Sequence, residues 1–118
     1  MEIVRLLKAL ADETRIRMLN LLKTGELCVC DIEEVLGIQQ SNASRHLNKL
    51  KSVGLILSDK KSQWVYYRMN DEIIVKYPFI QRIIQEELVK INVCEADMEQ
   101  LIKHKAGSTS CEQRIKKP

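Results

Sequence analysis

The sequence predicts a mainly α fold carrying one small β-hairpin, an α+β arrangement, and three observations lead there. Apolar residues recur at three- and four-residue steps through several segments, the spacing of a helix that buries one face. Leu55-Ile56-Leu57-Ser58 and Trp64-Val65-Tyr66-Tyr67-Arg68-Met69 are instead rich in strand-favouring residues and enclose a polar stretch. Gly25, Gly37, Gly54 and Gly107 fall between the periodic segments, where breaks belong. With 118 residues, 45% of them hydrophobic, the chain can bury one modest core. A single Phe, a single Trp and three Tyr mean that this core is built mostly of Leu, Ile and Val.

In chain order, residues 3–10 form a short amphipathic helix. Asp12 is placed to cap a second helix, with Ile16, Leu19 and Leu22 inward and Arg15 on the exposed face, and Gly25 ends it. A third helix begins near Cys28 or Asp31 and stops at Gly37. A fourth runs from Gln40 to about Val53, where Gly54 stops it. Ala43, Leu47, Leu50 and Val53 give this helix a buried face. Gln40, Ser41, Asn42, Ser44, Arg45 and His46 give it an outer face of amides, hydroxyls, a guanidinium and an imidazole, with Lys49 further along.

Helix, short glycine turn and a second helix with a polar outer face make a helix-turn-helix outline, and those side-chain types read base edges and phosphates in a major groove. The hairpin that follows is then a wing, with Lys60 and Lys61 at its tip to meet phosphates beside the groove. Net charge is only +3, but its distribution is uneven. Residues 39–61 hold five basic side chains against Asp59 alone, whereas residues 1–38 and 62–102 are both net acidic. Positive charge therefore gathers on the reading element, as displacement of counterions from phosphates requires.

Pro78 suits the first turn of a long helix, along which Ile80, Ile83, Ile84, Leu88 and Ile91 form a broad apolar stripe. This stripe and the first helix either pair across a two-fold axis, giving a homodimer through the first and last long helices, or pack on their own domain. Residues 95–105 add a further helix ending at Gly107. The expected division is a DNA-binding and dimerisation domain over 1–92 and a C-terminal helix with a flexible basic tail over 93–118. No apolar run reaches the length of a membrane span, and Glu2 argues against a secretory signal, so the expected location is the cytoplasm. No glycine-rich phosphate loop or nucleophile–base set is present, so an enzyme finds no support.

Several motifs now coincide, in order, with a known family. Ala9-Leu10-Ala11-Asp12-Glu13-Thr14-Arg15-Ile16-Arg17 resembles the opening signature of the ArsR/SmtB family of metal-responsive repressors. Glu26-Leu27-Cys28-Val29-Cys30-Asp31 resembles its arsenic-site motif, and Gln40-Ser41-Asn42-Ala43-Ser44-Arg45-His46-Leu47 its recognition helix. Gly54-Leu55-Ile56 and Trp64-Val65-Tyr66-Tyr67-Arg68 match the two wing strands, so the resemblance covers roughly residues 3–91. It implies a winged-helix homodimer on palindromic double-stranded operator DNA, released when an inducer binds. For members with Cys-Val-Cys, it implies that the inducer is arsenite or antimonite, with no organic cofactor, small-molecule substrate or membrane involved.

Trivalent arsenic seeks three thiolate sulfurs, and soft ligands select soft ions. Cys28 and Cys30 offer two. Residues two apart in a regular helix point about 200° away from each other, so both reach one ion only where the backbone is extended or unwound. The expectation is that capture distorts the start of the third helix and shifts the reading helix that follows. Family members with the best-known pattern carry a further Cys where this chain has Glu33, a hard ligand. Cys94, Cys111, or an external thiol or hydroxide are left to complete the site. The long helix lacks the His of the family's zinc sites, and His104 reads as a solvated surface residue. Two alternatives remain: a repressor sensing cadmium, lead or zinc through the same four cysteines, and a thiol redox protein cycling Cys28 and Cys30 through a disulfide.

Overall fold

A computed structural model describes residues 1–107, so Cys111 and the basic tail lie outside the described residues. Helix α1 spans Glu2–Leu10 and α2 Glu13–Leu22. Asp12 caps α2 as expected, its carboxylate accepting from the Arg15 backbone N–H at 3.0 Å. A short strand β1 (Leu27–Cys28) leads straight into α3 (Val29–Leu36), and α4 covers Gln40–Ser52. Between these two helices Gly37 takes a left-handed conformation (φ 66°) that disfavours any side chain.

Strands β2 (Ile56–Lys61) and β3 (Trp64–Met69) form the hairpin, paired antiparallel from Ile56↔Met69 to Lys61↔Trp64. The turn is tighter than the sequence suggested. Only Ser62 and Gln63 lie outside the ladder, and Ser62 takes the left-handed φ of 60° that closes it. Asp59, Lys60 and Lys61 are strand residues, because cross-strand pairing extends over them. Sequence reasoning also missed β1, which adds to the far edge of β3 with Leu27 opposite Tyr67 and Cys28 opposite Tyr66. Two residues are too few to show a strand period.

Asn70 joins the hairpin to the next helix. Its side chain caps α5 (Asp71–Lys76) through the Glu72 N–H and donates to the Gly54 carbonyl at 2.8 Å. Pro78 opens α6 (Pro78–Arg82), as its missing N–H favours. The expected continuous helix to Ile91 is not formed. A π turn (Ile83–Glu87) and a 3₁₀ turn (Leu88–Lys90) follow, and the chain extends at Ile91. The wide turn keeps Ile80, Ile84 and Leu88 buried, whereas Val89 and Ile91 are exposed.

Helix α7 (Asn92–Gly107) begins earlier than expected and doubles back over α2 and α3. The Asn20 amide donates to the Cys94 carbonyl at 3.0 Å, and Leu101 enters the common core. That core is continuous, with Leu6, Met18, Leu19, Leu22, Ile32, Leu47, Leu50, Leu55 and Ile80 among its fully buried members. Aliphatic residues dominate it, as the composition required. Among the described residues, no helix is long and apolar enough to cross a membrane.

Candidate nucleic-acid interface and thiol pair

Helix α4 presents Gln40, Ser41, Arg45 and Lys49 to solvent, with Asn42 and Ser44 half-buried on the flanks. Burial of Ala43, Leu47 and Leu50 against the core fixes this orientation. The Arg45 guanidinium donates to the Asn42 side-chain oxygen at 2.7 Å, so two candidate base-reading groups are held together. On the wing, Lys60 is exposed, whereas the Lys61 ammonium is bound by the Glu26 carboxylate and sits 4.9 Å from the Tyr66 ring centre.

His46 requires a correction. It faces inward at 5% exposure rather than outward with Arg45. Its position three residues after Ala43 and four before Leu50 carries the signal, since both neighbours are buried. Its Nδ1 lies 3.2 Å from Arg15 Nη1 and 3.7 Å from Asp12 Oδ1, and its Nε2 lies 3.4 Å from Arg45 Nη2. Burial pushes the imidazole pKa down, and the Arg45 and Arg15 charges act the same way against the opposing pull of Asp12. Arg15 is likewise not on an open face. Its side chain is 13% exposed, and its Nε donates to the Ala9 carbonyl at 2.7 Å.

The two neighbouring cysteines converge. Cys28 Sγ and Cys30 Sγ are 3.4 Å apart, with Cys28 buried and Cys30 half-buried. The helical objection does not arise, because Cys28 precedes α3 with an extended backbone (φ −72°, ψ 148°) and only Cys30 is inside the helix. Metal–thiolate bonds of about 2.3 Å at angles of about 95–110° set two sulfurs roughly 3.4–3.8 Å apart. The observed separation matches that distance with α3 regular from Val29, and Cys30 is disulfide-bonded in this structure, so sharing an ion with Cys28 requires its reduction.

Of the other expected ligands, Cys94 does not join the pair and Cys111 lies outside the described residues. Among the described residues no set of three His, Cys, Asp or Glu side chains forms a metal cluster. Cys94 lies in the first turn of α7, not at the end of the preceding helix, and is buried against α2. His104, ten residues and about 15 Å of helix further on, is the α7 residue that touches Asp31 beside the pair. Burial pushes the Cys94 thiol pKa up, disfavouring the thiolate a metal needs. Glu33 is half-buried, and desolvation raises its carboxyl pKa. His104 is not the solvated residue expected. At 9% side-chain exposure its Nε2 is 2.7 Å from Asp31 Oδ1, an inter-helix contact that sequence spacing gave no sign of.

Residues 12–58 match the model of the bacterial regulatory protein arsR family. The chain is 46% identical over 71 residues to the arsenical resistance operon repressor of Escherichia coli K12, covering 59% of this chain and 61% of that protein. It is 38% identical over 73 residues to a cadmium resistance transcriptional regulatory protein CadC homologue of Staphylococcus aureus, covering 61% and 60%. The matched segment thus spans less than two thirds of the length of these curated relatives. Among solved structures it resembles the homodimeric winged helix-turn-helix DNA-binding domain of Mycobacterium bovis Mb0332, a possible ArsR-family regulator. That likeness has a TM-score of 0.63 and 30% identity, over 77% of this chain and 85% of that one. These relatives are transcriptional regulators and not enzymes. A winged helix-turn-helix with this signature, register and ancestry belongs to the ArsR family of bacterial regulatory proteins.

Proposed function

We propose that the protein is a DNA-binding repressor of a metalloid-resistance operon, released from its operator when arsenite or antimonite binds Cys28 and Cys30 in their reduced form. The observation that carries this reading is the 3.4 Å approach of the two sulfurs at the β1–α3 junction, one helix upstream of the reading helix. Gln40, Ser41, Asn42, Ser44 and Arg45 face the major groove of operator DNA. Lys49 and Lys60 meet phosphates, and Lys61 joins them when Glu26 releases it. Two copies pair through α1, with its exposed Val4 and Leu7, and the α5 to 3₁₀ segment, with its exposed Val75, Val89 and Ile91.

Arsenic needs one more sulfur. Cys111, four residues beyond the α7 terminus, supplies it, since α7 ends on the side of α3 where His104 meets Asp31. Ion capture then fixes β1, α3 and the α7 terminus in one arrangement, and the groove-facing helix packed on α3 loses its fit. The coupling is reciprocal, so DNA weakens metalloid binding by the same factor.

The test is a gel shift on a palindromic operator under reducing conditions. Arsenite is expected to dissolve the wild-type complex but leave those of Cys28→Ser and Cys30→Ser intact. Persistence of the wild-type complex with arsenite bound would refute induction. The cadmium-resistance relative supports a second reading, in which cadmium is the inducer and takes four sulfurs. Counting sulfurs around each bound ion, in wild type and in Cys111→Ser, separates the two.

A further inference from the structure

Folding gathers basic residues that lie far apart in the chain. Residues 1–38 are net acidic as a whole, yet the exposed Arg5 and Lys8 of α1 line one groove of about 620 Å³ with the exposed Lys49 and Lys51 of α4. Helix α1 is locked beside α4 through Arg15, whose side chain donates to the Ala9 and Lys8 carbonyls at 2.7 and 3.4 Å and lies 3.2 Å from His46 Nδ1. Glu2 brings a carboxylate to the lining, but Lys76 Nζ at 2.7 Å and the Tyr77 hydroxyl at 2.8 Å already hold it. Among the described residues, none of the four cations is in an ion pair. The negative end of the α4 dipole accounts for lysines in its last turn, but Arg5 stands midway along α1. Like charges gathered in a concave surface without counter-charges focus a positive field that draws an anion.

We propose that this groove is a second DNA-contact surface, in which Arg5, Lys8 and Lys51 carry the row of phosphate contacts on from Lys49 along the operator backbone. The anion is DNA because the groove is continuous with the reading helix, whose outer face includes Lys49. Helix α1 also carries the exposed Val4 and Leu7 through which two copies pair, so the two grooves flank the two-fold axis and meet phosphates between the half-sites. This rests on the reading of α4 as the groove-facing helix. The contact adds affinity without sequence preference, since phosphates are alike at every base pair.

The test is a salt titration of binding to an operator duplex and a scrambled duplex, read by fluorescence anisotropy on the reduced protein. In Arg5→Gln/Lys8→Gln the slope of log affinity against log salt is expected to become shallower by roughly two units per copy on both duplexes, with operator preference unchanged. The charge-keeping Arg5→Lys/Lys8→Arg retains the wild-type slope. Lys103→Gln/Lys105→Gln, which removes two exposed charges from α7 outside the groove, changes it by less than about half a unit. An unchanged slope in Arg5→Gln/Lys8→Gln, or an equal change in the α7 variant, would overturn the inference and leave α4 as the reading helix. A wild-type protein that binds neither duplex would overturn that reading and the inference with it. If Arg5→Gln/Lys8→Gln loses the dimer in sedimentation, Lys51→Gln, which lies outside α1, carries the same test with an expected change of about one unit per copy.

Discussion

Arg17 and Asp97 tie α2 to α7 through a two-point contact, Nε to Oδ2 at 2.7 Å and Nη2 to Oδ1 at 2.9 Å. The pair is asymmetric, because the Asp97 side chain is 6% exposed and that of Arg17 is 22%. Removing the arginine strands a buried carboxylate, whereas removing the carboxylate leaves a guanidinium that reaches water. Arg17→Met is therefore expected to cost about 3 kcal/mol and Asp97→Asn about 1.5 kcal/mol in urea unfolding. The reverse ranking would contradict this assignment.

His46 makes stability depend on pH. Its folded pKa lies below the ordinary value, chiefly through burial, with Arg45 and Arg15 adding to that and Asp12 opposing. The unfolded chain therefore binds the proton more readily. The neutral ring's contribution is fully present above about pH 6.5 and is lost as pH falls from there through the folded pKa. The midpoint of thermal unfolding is expected to drop between about pH 7.5 and 5.5, and to drop less in His46→Gln, which does not titrate. Equal slopes in the two proteins would exclude His46 as the group responsible.

The two wing lysines are not equivalent. Lys60 is exposed, whereas Lys61 is held by Glu26. In a salt titration of operator affinity, Lys60→Ala is expected to lower the slope by about one unit and weaken all duplexes alike. Lys61→Ala has a smaller effect, and Glu26→Gln strengthens binding by freeing its ammonium. A Glu26→Gln protein with unchanged affinity and slope would remove Lys61 from the DNA contact set.

Cys94 is expected to stay out of the metalloid site. Burial disfavours its thiolate, and it lies far along α7 from the residue that reaches Asp31. X-ray absorption on arsenite-loaded Cys94→Ser is expected to show the wild-type number of sulfurs. One sulfur fewer would place Cys94 in the site, contributed by a second copy of the chain.

The helices were legible because their evidence is local. Apolar spacing marked α1 to α4, Asp12 announced the start of α2, and Gly37 and Gly54 marked the stops. The hairpin was legible for the same reason, yet the wing's third strand was not, since β1 exists only by pairing with residues some forty positions away. The same limit governed the site. The Cys28 and Cys30 pair stands out in the sequence, but their convergence depends on Cys28 ending a strand rather than starting a helix. His46 and Arg15 looked like surface residues, because they meet each other from different helices and Arg15 also reaches the Ala9 carbonyl of α1. His104 became an inter-helix contact only once α7 folded back, and no spacing within residues 92–107 foretells that return.

A two-rung ladder and the neighbouring Glu26–Lys61 ion pair fasten β1 to the wing. Each rung contributes roughly 1 kcal/mol, so the attachment can be undone at a cost no greater than a single ligand bond repays. An event at the buried edge of the sheet, at Cys28, is thereby felt directly opposite, at Tyr66, whose ring neighbours Lys61 near the tip of the arm. Under the proposed function, ion capture at Cys28 therefore acts on the double helix from two directions at once, beneath the reading rod and behind the arm that flanks it.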